Sequence, residues 1–178
     1  MAADAHTVLY VPVPGLEDYI RWRHEVEGPQ WLSPDPHHLH AHITLLAPFA
    51  PEEQLGDGLD GELTALFAAA EPFEFTLAEV RVFPSGLAYL HPEPAAGFAR
   101  LTSALAARYP AYPPYAGRWE PVPHLSLCAV EPGRDLEVVR RELGHLLPVR
   151  GEAREVRLVS YAQNATRTVR TYPLGGRG

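Results

Sequence analysis

Residues 41–49 read AHITLLAPF and residues 122–130 read VPHLSLCAV. Both are short apolar runs rich in Leu, Ile and Val, with the length and composition of a β-strand. Alternate residues of a strand share a face. His42 therefore projects with Thr44, and His124 with Ser126, while Ile43 and Leu125 turn to the opposite face and into a core. Each run follows a Pro-rich stretch, GPQWLSPDPHH at 28–38 and PAYPPYAGRWEPVP at 110–123, which regular structure does not accommodate. Each is followed by leucines at helical spacing. The repetition predicts two similar halves that place the two His-bearing strands side by side. The expected class is α+β, with antiparallel sheets inside and helices outside.

The remaining segments fit that class. Thr7–Val13 reads as a strand, and Leu16–Val26 as a helix with Leu16, Tyr19, Ile20 and Arg23 on one side. The strand at His42 is expected to stop at Pro48, which cannot donate to a ladder. Leu59–Ala70 is helical, with Leu59, Leu63, Leu66, Phe67 and Ala70 on one face. Phe73–Val82 changes phase near Ala78–Glu79, as a bulged strand does, and Pro84-Ser85-Gly86 turns it into a hairpin with Leu87–His91. Pro94 suits the first turn of a helix with the stripe Phe98, Leu101 and Leu105, ending near Tyr109. After a strand over His124–Val130, Asp135–Leu147 is helical, with Leu136, Val139, Leu143 and Leu147 facing in. Ala153–Tyr161 and Thr166–Tyr172 close the chain as an antiparallel pair around Gln163-Asn164.

Composition bounds the function. The 178 residues suffice for one compact domain, residues 1–178, or two small lobes sharing a core. The net charge is −7, and all fifteen basic residues are arginine. A protein that tracks long nucleic acid carries a basic face, so a long RNA track is disfavoured while a local phosphate pocket is not. The lone Cys128 excludes an intramolecular disulfide and a Cys-rich zinc site. No charged segment followed by an apolar run marks a signal peptide, and no apolar stretch reaches the roughly 20 residues a membrane span needs. A cytoplasmic monomer, without cofactor and without membrane contact, is the expectation.

The paired motifs carry the chemistry. Two imidazoles can act as base and acid in phosphodiester cleavage, one removing a proton from water or a hydroxyl and the other protonating the leaving oxygen. Histidine suits this because its ordinary pKa lets both forms exist near neutral pH. Thr44 and Ser126 can donate to non-bridging phosphate oxygens as charge builds on them. The scheme needs no metal.

AHITLLAPF and VPHLSLCAV resemble the two signature motifs of the two-histidine (2H) phosphoesterase superfamily, in particular its bacterial 2′-5′ RNA ligase-like proteins. LYVPVPG at 9–15, AYLHPEP at 88–94 and YPPYAG at 112–117 fit the same pattern, so the likeness runs from about Thr7 to Tyr172. The resemblance implies a bilobal, pseudo-two-fold fold with a central cleft, and action on 2′,3′-cyclic phosphates or 2′-5′ phosphodiester linkages of a nucleotide or short RNA end. It implies His42, Thr44, His124 and Ser126 as the functional residues. One departure stands out. Many RNA-ligase-like members carry an arginine shortly after the second motif, where this chain has Cys128-Ala129-Val130 and reaches Arg134 only later. That counts against RNA ligation more than against hydrolysis of a small phosphodiester.

Other residues offer rival or supporting roles. His38, His40 and His42 alternate, so an extended segment would aim all three at one zinc; no carboxylate or cysteine stands at a matching spacing. Tyr10, Trp31, Tyr89, Tyr115 and Trp119 are candidates to line a cleft and stack on a base. Arg118, Arg134 and Arg167 are candidates for phosphate contact. Cys128, in phase with Ser126, is a candidate for the deep end of the cleft or a small core filler. Beside the enzyme stand two other readings: a module that holds a phosphorylated ligand or RNA end without turnover, and a zinc hydrolase.

Overall fold

In a computed structural model of the chain, residues 6–129, 136–162 and 164–176 are described. The elements run β1 (His6–Pro12), α1 (Glu17–Glu27), β2 (His42–Phe49), α2 (Asp57–Ala68), β3 (Phe73–Val82), β4 (Leu87–Glu93), α3 (Ala96–Arg108), β5 (Leu125–Ala129), α4 (Leu136–Leu143), β6 (Val149–Ala153), β7 (Glu155–Tyr161) and β8 (Arg167–Pro173). They form the expected α+β architecture, with two four-stranded antiparallel sheets ordered β2-β1-β7-β8 and β5-β4-β3-β6.

The two motif strands occupy equivalent edges. Among the described residues β2 pairs only with β1, and β5 only with β4. The strand inside each carries a tyrosine opposite the motif hydroxyl: Tyr10 faces Thr44 and Tyr89 faces Ser126. The true repeat is thus strand, helix, Pro-rich loop, motif strand, as β1-α1-β2 and β4-α3-β5. The motif strands are not joined by a ladder; they meet edge to edge, each closing its own sheet.

One apolar cluster draws on both sheets, including Leu9, Val11, Ile43, Leu45, Leu77, Leu90, Phe98, Leu125 and Leu158. On β2, Ile43 and Leu45 are buried while His42 and Thr44 stay partly open. Burying each such side chain contributes about 1.5–3 kcal/mol, so the core face fixes which way the motif residues point. A one-residue slip would exchange them.

Several sequence expectations are corrected. β2 does not stop at Pro48 but continues to Phe49 through a cis Ala47–Pro48 bond. An edge strand with bulges tolerates proline because the missing N–H faces no neighbour, and the β1–β2 register slips twice in this region. Pro94 precedes α3, whose N-cap is Ala95, instead of lying in its first turn. The expected Ala153–Tyr161 strand is β7 over Glu155–Tyr161, while Ala153 ends β6, an unanticipated strand of the other sheet from which the chain crosses at Arg154. α4 ends at Leu143, and Leu147 packs on the core from the turn beyond it. The bulge in β3 falls between Leu77 and Val80, as the phase change predicts. The turn at Pro84–Gly86 is present, with Gly86 at φ 88. On α3, Gly97 lets the Phe73 ring approach; a Cβ there would stand 2.4 Å from a ring carbon. Val130, Arg134, Asp135 and Gln163 lie outside the described residues.

Candidate active site

A cavity of about 290 Å³ opens where α1 covers the facing edges of the two sheets. His42, Thr44, His124 and Ser126 share its wall with Ile20, Arg23, His24, Glu27, Gly28, Trp31, His40, Leu87, Leu127 and Cys128. Both imidazoles are held in the same way. His42 Nδ1 lies 2.6 Å from the carbonyl of His40, and His124 Nδ1 lies 2.7 Å from the carbonyl of Val122. A carbonyl only accepts, so each Nδ1 carries the proton and donates. Each Nε2 is left as the reactive atom, with its orientation fixed by a backbone oxygen two residues upstream.

The segments before the motifs are tied down by side chains. Glu17, in the first turn of α1, accepts from the backbone N–H groups of His40 and Ala41 at 2.7 and 2.8 Å and from His40 Nδ1 at 2.7 Å. His40 Nε2 in turn accepts from Ser33 N–H at 3.1 Å. His40 is therefore a linker, engaged at both ring nitrogens, whose own carbonyl positions His42. In the second motif, His91 Nδ1 donates to the Pro123 carbonyl at 2.9 Å. Tyr10 stacks against His42 with centroids 4.2 Å apart and planes 21° apart, and its hydroxyl donates to the Leu39 carbonyl at 2.7 Å. Tyr89 and Phe83 meet His124 edge-on, at 5.7 and 5.0 Å.

Burial lowers the pKa of both imidazoles. It pulls His42 down to about 4, with the neighbouring histidines adding to the fall against the backbone bond to His40. His124, nearer the rim, is lowered by burial and by His91 against its backbone bond to Val122. His42 is thus the more firmly neutral of the pair.

The other sequence candidates separate. Tyr10 is fully buried beneath His42, so its ring offers no surface to a base. Tyr115 lies 6.4 Å from the His124 ring, nearly parallel to it. It is placed there by two successive left-handed residues, Tyr115 at φ 52 and Ala116 at φ 53, each a conformation that costs on the order of 1 kcal/mol or more. Trp31 lines the cavity. Trp119 is 72% exposed, and Trp119 and Arg118 both lie off the cavity wall. Arg167, on the far strand β8, pairs with Glu52 in the turn after β2. Cys128 meets both readings at once, being buried and on the cavity wall. The alternating histidines do not converge: His38 turns to Thr168 Oγ1 at 3.2 Å and His40 is saturated by Glu17 and Ser33. Among the described residues no three His, Cys, Asp or Glu side chains come together as a metal site would require.

Sequence reasoning overlooked Arg23 as a site residue. Its guanidinium lines the cavity, donating from Nη1 to Glu27 at 2.8 Å, from Nε to the Tyr19 hydroxyl at 3.1 Å and from Nη2 to Cys128 Sγ at 3.2 Å. The signal was an arginine on the apolar stripe of α1, where a charge needs a buried partner.

His38 gives a stability prediction. It is 2% exposed, its Nε2 has no hydrogen-bond partner among the described residues, and burial with the adjacent His40 lowers its pKa to about 4. The unfolded chain binds that proton near pH 6.5 and the folded one does not until about pH 4. Stability is therefore full above pH 6.5 and falls by roughly 1.4 kcal/mol per pH unit below it. His38→Phe is expected to flatten the pH dependence of the urea midpoint between pH 6.5 and 4.5; an unchanged slope would refute the assignment.

Comparison with known proteins follows this geometry. The family model of the 2′-5′ RNA ligase superfamily matches residues 12–165. Among solved structures, TT0787 of Thermus thermophilus is 20% identical, covers 97% of this chain and 100% of its own, and superposes with a TM-score of 0.61. Escherichia coli LigT complexed with 3′-AMP is 18% identical, covers 96% and 98%, and gives a TM-score of 0.59. A structure described as a phosphoesterase gives 18% identity, 96% and 98% coverage, and 0.57. Comparison with curated proteins gives no match. With the family model spanning most of the chain and the fold shared end to end, the chain belongs to the 2′-5′ RNA ligase superfamily, among the two-histidine phosphoesterases.

Proposed function

We propose that the protein is a metal-independent phosphodiesterase that opens 2′,3′-cyclic phosphates, or cleaves 2′-5′ linkages, on a nucleotide or short RNA end. The observation that carries this is the paired geometry: two imidazoles, each anchored through Nδ1 to the carbonyl two residues before it, share one cavity with the hydroxyls of Thr44 and Ser126. LigT has been seen with 3′-AMP, phosphate, ATP and NADP+, which supports a small nucleotide as ligand for its fold. The cavity suits one nucleotide unit, not a long strand, in keeping with the net charge of −7.

The roles follow from the environments. His42, held neutral by burial, takes a proton from water through Nε2 as the water oxygen bonds to phosphorus. His124, less firmly neutral, gives its Nε2 proton to the departing ribose oxygen as that P–O bond breaks. Thr44 and Ser126 donate to the non-bridging oxygens, where charge accumulates. Exchange with solvent then returns the proton from His42 and restores it on His124. No described helix is long and apolar enough to cross a membrane, and we place the protein in the cytoplasm.

The test is hydrolysis of 2′,3′-cyclic AMP in EDTA, with His42→Ala and His124→Ala alongside. For the free enzyme, kcat/KM is expected to trace a bell whose maximum lies below pH 6.5, because burial lowers both histidines. A rate that climbs steadily into alkaline pH, or vanishes with chelator, would overturn the mechanism.

A further inference from the structure

A third imidazole lines the cavity, and the two proton transfers make no use of it. His24, on α1 beside Arg23, shares the wall with His42 and His124. Its ring is held much as theirs are. Nδ1 lies 3.1 Å from the carbonyl of Ile20, one turn earlier on the same helix. A carbonyl only accepts, so Nδ1 carries the proton and Nε2 keeps a lone pair. Among the described residues that Nε2 has no hydrogen-bond partner. The ring packs on His40 with centroids 5.5 Å apart, and His40 is itself fixed by Glu17 and Ser33. A helix and an anchored neighbour therefore hold His24 in place, half-buried at the wall. Charged and titratable groups border it from each side. Glu17, Arg23 and Glu27 belong to its own helix, His40 and His42 to the first motif segment, and His124 and Cys128 to the second. In the free protein burial lowers the His24 pKa and His40 adds to the fall, against the Ile20 carbonyl, Glu17 and Glu27. Of the imidazoles around His42, His24 weighs most heavily on it. An anion served by His42 therefore lies in the field of His24 as well.

A lone pair on Nε2 repels an ionised phosphate oxygen, which has no proton to give. An Nε2–H of an imidazolium attracts it through a charge-assisted bond. Entry of a phosphate anion thus favours the protonated ring and opposes the burial that keeps it neutral. We infer that His24 is a third phosphate contact of the cavity: as the anion enters, its ring takes a proton from solvent and donates Nε2–H to a non-bridging oxygen. The inference rests on reading the cavity as a phosphodiester site and adds a substrate-contact residue to it. No covalent bond forms or breaks at His24. Its proton arrives from solvent with the anion and returns to solvent with the product, so the transfers at His42 and His124 balance as before. Its charge acts twice in between. Before attack it disfavours a proton on His42, the ring that must be free to accept one. During attack it meets the charge that collects on the non-bridging oxygens as water bonds to phosphorus.

The test uses 2′-deoxyadenosine 3′-monophosphate, which lacks the 2′-hydroxyl needed to cyclise. The Cε1–H resonances of the histidines are followed by NMR across the acid and neutral range in the intact protein, with and without saturating probe, each ring being assigned through its own backbone. The titration midpoint of His24 is expected to rise by about one pH unit or more on binding, as an opposite charge at hydrogen-bond distance produces. Calorimetry reads the same linkage as affinity. Relative to His24→Gln, whose amide does not titrate, the intact protein should gain about tenfold in probe affinity between pH 8 and pH 5. Ionisation of the probe and of His40, His42 and His124 is common to both proteins and largely cancels in that comparison. A His24 midpoint that stays put while His42 or His124 responds would overturn the inference and leave the cavity standing as a phosphate site. So would a probe affinity with the same pH dependence in a folded His24→Gln protein as in the intact one. The NMR arm needs only the intact protein, so it decides the matter even where the variant folds poorly. If no histidine responds and calorimetry detects no binding, the reading of the cavity as a phosphate site fails, and this inference with it.

Discussion

Alanine at either His42 or His124 is expected to lower kcat on 2′,3′-cyclic AMP by about 10²–10⁴-fold, the usual range for a positioned acid or base. The double variant should lose scarcely more than the worse single one, because the two proton transfers belong to one displacement and fail together. KM should change much less, since Thr44, Ser126 and Arg23 remain on the cavity wall. The two substitutions should differ in stability. His42 stacks on Tyr10 at 4.2 Å, and losing that contact costs about 0.5–1.5 kcal/mol beyond buried area. His124 is partly exposed and makes looser ring contacts, so its removal should leave the thermal midpoint nearly unchanged. Initial rates with thermal melts on the same samples check both parts. Near-wild-type turnover in a folded His124→Ala protein would remove that residue from the chemistry.

Replacing Glu17 by alanine should be the most damaging change outside the motifs. The carboxylate accepts three hydrogen bonds, from His40 N–H, Ala41 N–H and His40 Nδ1. Burial raises its pKa, but the His40 ring and the two N–H groups outweigh that and hold it below the ordinary value of 4.5. Its contribution is therefore present above pH 4.5 and lost as pH falls through the lowered value. Bonds to a charged acceptor contribute about 1.5–3 kcal/mol each, and leaving buried donors unpaired adds to the loss. A fall of roughly 3–5 kcal/mol in unfolding free energy is the expected result in urea denaturation at pH 7. Activity should follow although Glu17 is a positioning residue off the cavity wall. The His40 carbonyl that fixes His42 would no longer be held, and an ångström of misplacement can cost about 10²-fold. In molecules that remain folded, kcat should fall more than KM and the acid limb of the pH profile should move as His42 loses its fixed acceptor. Glu17→Gln keeps acceptor oxygen and should recover part of both losses. An alanine variant with unaltered stability and an unaltered pH profile would refute the positioning role.

The residues that carry the proposed chemistry were legible before any fold, because strand alternation is a local rule. His42 and Thr44 had to share a face once Ile43 and Leu45 were assigned to the core, and β5 repeats the logic with His124, Ser126 and Leu125. The bulge in β3 was legible for the same reason, as a change of phase along one strand. Pro48 misled because proline's rule depends on whether the strand is an edge, a property of the sheet and not of the segment. β6 was missed because its run VRGEA at Val149–Ala153 holds a glycine and two charged residues, and no apolar alternation marks it as a strand.

By itself, then, the sequence determined the α+β class, the two motifs and the direction in which their side chains point, since period and burial along a single strand suffice for these. Tertiary structure alone decided which residues support them. Tyr10 became the plate beneath His42, His40 became a saturated linker, and Glu17 became the clasp on the first motif. Arg23 came to the cavity wall with Glu27 on its own helix and Glu142 from α4, 119 positions further along than Arg23. Those assignments depend on contacts between distant segments and on the dielectric they create, and neither quantity exists until the chain has folded around them.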